Sequence, residues 1–153
     1  MASNPTHEQA DLQVKLFDLR REARLRQARD WFNKNFFANT LDEAMRIAPM
    51  GSETGTSFMM VVSYWDQVCA YLNHGLLHEE LFFETNGEFY WVWERVKPTI
   101  PESRQSFTNP LFLAHLEKAA VRYEKWIESK APGHVAAMRQ MMKQFAAQAG
   151  KAA

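Results

Sequence analysis

The chain has 153 residues, 46% of them apolar and 24% charged, a balance ordinary for a globular protein and sufficient for one sizeable core. Its 18 basic and 18 acidic residues cancel, so no overall field draws it to nucleic acid or to an anionic membrane. Cys69 is the single cysteine, which rules out an internal disulfide and a cysteine-rich metal centre.

Helical periodicity runs throughout, and strand alternation and hairpin dipeptides are missing. The expectation is an all-α fold: a single-domain bundle of five to six helices over residues 1–153, frayed at 1–5 and 149–153. The opening MASNPTHEQADLQ has neither a basic start nor an apolar run, so a cytoplasmic protein is expected. The first helix is predicted from Thr6 to Phe36, started by the capping box Thr6-x-x-Gln9 or by Asn4-Pro5. Leu12, Leu16, Leu19 and Ala23 form one stripe on it. At 1.5 Å per residue it would reach about 45 Å, so it is either kinked or lies partly against a second subunit.

A short helix, Leu41 to Ala48, follows the box Thr40-x-x-Glu43 and stops at Pro49. Met50–Thr56 reads as a loop. The third helix, Ser57 to His74, has a wide apolar face through Trp65, Val68, Cys69 and Leu72, which makes it the buried central element; Gly75 ends it. The uncharged stretch that opens this region breaks at Asp66, well short of the roughly 20 residues of a membrane span. Nine aromatic side chains crowd the segment from Tyr64 to Pro98. Within it a helix over Leu77–Lys97 is expected, broken or kinked at Thr85-Asn86-Gly87, with Phe89, Val92, Trp93 and Val96 inward. A connection bracketed by Pro98 and Pro101 runs to Phe107. Asn109-Pro110 has the chemistry to start a fifth helix reaching Lys130, and a last helix spans about 134–148.

Four constellations bear on function. His74, His78, Glu79, Glu80 and Glu84 have some metal-ligand spacing, yet Gly75 interrupts the helix between the histidines and no second Glu-x-x-His exists; helix-end electrostatics explains them better. Cys69 sits late in a helix on its apolar face, the place of a structural thiol rather than a nucleophile. The arginines between Arg20 and Arg29 spread round their helix among Asp18, Glu22 and Asp30, with Glu22–Arg26 and Arg26–Asp30 as favourable pairs. Arg20, Arg24 and Trp31 fall close together there and would suit a phosphate or a partner's carboxylate. Met59, Met60, Met138, Met141 and Met142 are either core filler or the lining of a pliable groove for a partner helix or an apolar ligand. Trp91 lies off the inward stripe, which points to a subunit interface, an aromatic pocket or packing on two sides.

Tyr64-Trp65, Gly75-Leu76-Leu77 followed by Glu80-Leu81-Phe82, Trp93-Glu94, Lys97-Pro98, and Arg104 before Asn109-Pro110 form a recurring pattern. Over residues 58–127 it resembles a family of small bacterial helical proteins of unknown function. The resemblance implies an all-α fold and brings no activity, cofactor or site. Members often begin with a membrane-spanning helix; this chain begins instead with the charged segment holding Arg20–Arg29, so membrane tethering is not carried over. The leading functional expectation is a non-enzymatic interaction module, a homodimer that binds a protein partner, with Arg20, Arg24, Trp31 and Trp91 at the interface. The alternative is a protein for a small ligand or a metal, even an enzyme, whose polar site gathers Asp66, His74, Glu80, Glu84, Arg95 and Arg104. Nucleic-acid binding ranks last, and no cofactor or complete metal set is recognised.

Overall fold

The Thr6 hydroxyl accepts from the Gln9 amide and the Thr6 amide donates to Gln9 Oε1, so α1 (His7–Arg20) begins at the expected capping box. The computed structural model describes residues 4–152, with side chains through Lys151; of the ends expected to fray, residues 1–3 and 153 lie outside that range. The long first helix is in fact two. At Arg21–Glu22 the chain breaks, and α2 (Ala23–Asn35) starts where the Glu22 carboxylate accepts from the amides of Arg24 and Leu25, each at 3.0 Å. Glu22 is therefore an N-cap rather than half of an i,i+4 pair with Arg26. The break also ends the predicted stripe: Leu16 is buried, while Leu19 and Ala23 are exposed. With the helix halved, its length no longer argues for a second subunit.

α3 spans Leu41–Ile47, capped by Thr40 as expected. The expected loop before the central helix is shorter than predicted, because Ser52 accepts from the Gly55 amide and starts α4 (Glu53–Asn73) at once. Val61, Val62, Trp65, Val68, Cys69 and Leu72 of α4 are all buried, so it is the central helix of the bundle, packed between α2 and α8. Gly75 closes it at φ +75, with the Leu76 amide reaching back to the Tyr71 carbonyl at 2.9 Å. α5 (Glu79–Thr85) and α6 (Glu88–Val96) are separated at Asn86-Gly87, and Phe89, Val92, Trp93 and Val96 point inward as the spacing predicts.

The connection after α6 is helical too. A 3-10 turn, Lys97–Thr99, leads into α7 (Ile100–Ser106), with Pro98 and Pro101 in first turns where no N–H is missed. α8 (Ala114–Lys130) starts four residues later than Asn109-Pro110 suggests, since its N-terminal donor at Leu116 is met by Asp66 Oδ1 of α4, 2.8 Å away. α9 (His134–Ala152) completes the chain, its start held by Glu128 accepting from the amides of Gly133 and Val135. Among the described residues this makes nine α-helices where five to six were expected, with no strand. Phe83, Phe89, Tyr123 and Trp126 cluster where α5, α6 and α8 meet, Phe83 stacked on Phe89 and the Phe89–Tyr123 rings edge-on with centroids 5.2 Å apart. Such contacts add about 0.5–1.5 kcal/mol per pair beyond area burial. No helix among the described residues is long and apolar enough to cross a membrane.

Candidate functional site

The six polar residues considered for a ligand site do not converge. Asp66 is spent on the start of α8. His74 is exposed and faces the His115 ring, centroids 5.8 Å apart, beside Asn73, whose amide donates to the His115 carbonyl at 3.1 Å. Glu80 pairs with Lys130 at 3.3 Å, and Glu84 is exposed on α5. Arg95 is 5% exposed and closes the carboxyl end of α2, donating to the carbonyls of Asn33 (3.2 Å), Phe32 (2.9 Å) and Phe36. Its guanidinium lies between the rings of Phe32 and Phe37, 4.8 and 4.1 Å from their centroids. Burial pulls it down to about 10, which leaves it charged at neutral pH, against the negative end of the α2 dipole. Arg104 binds Glu117 at 2.7 Å and the Phe112 carbonyl at 3.0 Å. Among the described residues no three His, Cys, Asp or Glu side chains are placed to hold a metal ion.

Charged groups that do cluster are structural in geometry. Arg29 forks onto Glu88 at 2.6 and 2.5 Å, Arg20 reaches the same carboxylate at 3.8 Å, and the Tyr64 hydroxyl donates to the Leu16 carbonyl. Burial pushes the Tyr64 phenol up to about 12, so it stays a donor. Arg139 of α9 binds Glu94 of α6 and Glu124 of α8, and Tyr90 donates to Glu124. Burial would raise the Glu94 carboxyl, but Arg139 and Lys97 outweigh it and hold it below the ordinary range. Cys69 is fully buried and its thiol is pushed well up, first by burial and then by Asp66.

The four residues considered for an interface also separate. Arg24 and Trp31 line a cleft between α2 and the start of α4, whereas Arg20 turns away from it, over Phe17 and Trp65. Trp91 is half-buried and meets the Phe145 ring of α9 edge-on at 6.3 Å, in a groove shared with Met138 and Met141.

A more apolar pocket lies elsewhere. α3, the first turns of α4, the 97–106 segment and residues 107–112 surround a cavity of about 490 Å³. Phe36, Ala44, Met45, Ala48, Phe58 and Phe112 form its walls, and Met50, Met59 and Phe107 line it while remaining 72%, 47% and 51% exposed. Thr56, Thr99, Ser103 and Asn109 are its polar residues; no Asp, Glu, Lys, Arg or His lines it. The walls are fixed from outside. The Leu41 amide donates to Glu102, joining α3 to α7, and Arg104 holds Phe112. Thr108 and Leu113 take left-handed backbone at φ 51 and 53, bracketing the short wall between α7 and α8. At Gly55 a Cβ would fall 2.0 Å from the Pro49 carbonyl oxygen, so the loop beneath the cavity closes only over glycine. The sequence hint to this site was the methionine excess, which the fold divides: Met59 goes to the cavity, Met138 and Met141 to the α9 groove.

No curated protein and no solved structure matches the chain significantly. A family match does extend well beyond the 58–127 stretch that carries the resemblance: from residue 5, next to the cap of α1, to residue 126 in α8, the chain fits the domain of unknown function DUF4760, and it belongs to that family.

Proposed function

We propose that this protein is a non-enzymatic binding module that takes an apolar group into the cavity between α3, α4 and α7. The observation that carries this reading is a charge-free apolar pocket, half open to solvent, with exposed apolar side chains gathered at its mouth. Its volume falls within the roughly 300–1,000 Å³ of small-ligand sites, and its lining has their composition, mostly apolar with a few placed polar groups. Every lining residue falls within the span that matches the family, whereas half of the α9 groove's lining lies beyond it. The scattering of Asp66, His74, Glu80, Glu84, Arg95 and Arg104 leaves the polar-site alternative without a shared cleft. The buried thiol of Cys69 fits a reducing cytoplasm.

Titration with the uncharged fluorophore N-phenylnaphthylamine tests the proposal. Saturable enhancement is expected for the native chain, and its loss in Met45→Trp and Thr56→Trp, which fill the cavity from half-buried and exposed positions. Absence of saturable binding, or binding unchanged in both folded variants, overturns it. A second reading, self-association, is favoured by the Trp91–Phe145 contact in an apolar groove, the kind of aromatic anchor that dominates protein interfaces. Sedimentation velocity of the native chain against Trp91→Ala tests it: a dimer lost in the variant supports it, and a monomer across micromolar concentrations refutes it.

A further inference from the structure

We propose that the occupant of this cavity is uncharged: a neutral apolar molecule carrying a hydrogen-bond donor, such as a long-chain alcohol or primary amide, with anionic amphiphiles of the same length excluded. The inference rests on the binding-module reading and adds a charge rule to it.

Two features point the same way. The first is electrostatic. A carboxylate drawn into the cavity would lose its water and find no cation, since no ionisable side chain lines the walls. The cations on the elements that build the walls are already engaged: Arg104 with Glu117, Arg46 with Asp42, Lys97 with Glu94. The acids on those elements are engaged too, Asp42 by Arg46, Glu43 by the Asn39 amide and Glu102 by the Leu41 amide, so the case against an anion rests on the missing cation in the walls.

The second feature concerns donors and acceptors. The Thr99 hydroxyl spends its proton on the Val96 carbonyl at 2.8 Å, and the Ser103 hydroxyl spends its own on the Thr99 carbonyl at 2.7 Å. Both side chains are buried, and neither has a proton left for a ligand. Each oxygen keeps an unused lone pair. Such a pair of hydroxyls accepts from a ligand O–H or N–H, and the donors left for a ligand carboxylate or carbonyl are those of Thr56 and Asn109, both exposed residues.

Displacement of N-phenylnaphthylamine from the full chain by decanol and by decanoate, at pH 8 where decanoate is fully ionised, tests the rule. Decanol is expected to displace the probe at a tenfold or lower concentration than decanoate. Ser103→Ala, with an unchanged circular dichroism spectrum, should weaken decanol several-fold when its binding is measured directly by titration calorimetry, since the probe's own N–H can use the same oxygen. Equal potency of the alcohol and the acid overturns the charge rule while the module stands. Probe binding that neither compound displaces also overturns the rule, and failure of the probe to bind at all overturns the module itself. An unaltered decanol response in Ser103→Ala removes the acceptor assignment.

Discussion

Replacing Arg95 with methionine should destabilise the protein strongly, although the side chain is remote from the cavity mouth and pairs with no carboxylate. The guanidinium is the donor for the carbonyls of Asn33 and Phe36 and shares that of Phe32 with the Phe36 amide. Methionine fills much of the space but leaves the first two without that donor. A buried acceptor left unsatisfied costs about 1–3 kcal/mol. Loss of the cation between Phe32 and Phe37 adds roughly 1–2 kcal/mol for a desolvated contact. Together the change should fall near 3–8 kcal/mol, a large share of the roughly 5–15 kcal/mol of a typical domain. For a chain of this length that is a drop in Tm on the order of 6–32 °C. Arg95→Lys keeps the charge but cannot fork, so it should recover about half of the loss. Urea unfolding followed by tryptophan fluorescence would give both values. A methionine variant within 1 kcal/mol of wild type, or a lysine variant equal to it, would refute the view that Arg95 serves as the cap of α2.

Gly55→Ala should be among the most damaging small substitutions: its Cβ would fall 2.0 Å from backbone, and overpacking of this kind costs about 1–3 kcal/mol or more, readable as a shift in the urea midpoint. Cys69 should resist Ellman's reagent at pH 8 in the native state and react fully only on unfolding, because the buried thiol stays protonated; rapid native labelling would contradict its placement. Glu94 has its carboxyl held low in the folded state, so its contribution is present above the ordinary carboxylate range and is lost as pH falls through the lowered value. Protection factors of the α9 amides, taken relative to the intrinsic rate at each pH, should therefore fall in acid, and Glu94→Gln should lower them at neutral pH as well; protection insensitive to both would show that the Arg139 link does not hold α9.

What the sequence disclosed was mainly what local pattern encodes. The period of Phe89, Val92, Trp93 and Val96 placed the buried face of α6, Gly75 marked the end of α4, and the Thr6 and Thr40 boxes marked two helix starts. It failed where a distant group decides the outcome. The start of α8 is set by Asp66, fifty positions away, so Asn109-Pro110 looked sufficient alone. The break at Glu22 was hidden because a carboxylate that caps its own helix has the same spacing to Arg26 as one that pairs along it. Arg95 resembled a ligand residue because nothing local reveals that the carbonyls of α2 end against it. The cavity was least legible: it is a void bounded by four short segments, and small residues such as Ala44, Ala48 and Gly55 make room without a periodic signature.

The most direct test of the account is a methyl NMR titration with methionine labelled at the ε-carbon, adding decanol to the full chain. Saturable shifts confined to Met45, Met50 and Met59, with Met138, Met141 and Met142 unmoved, are the predicted result. Shifts centred on the α9 methionines, or no saturable shift at any of them, would contradict the cavity as the working site.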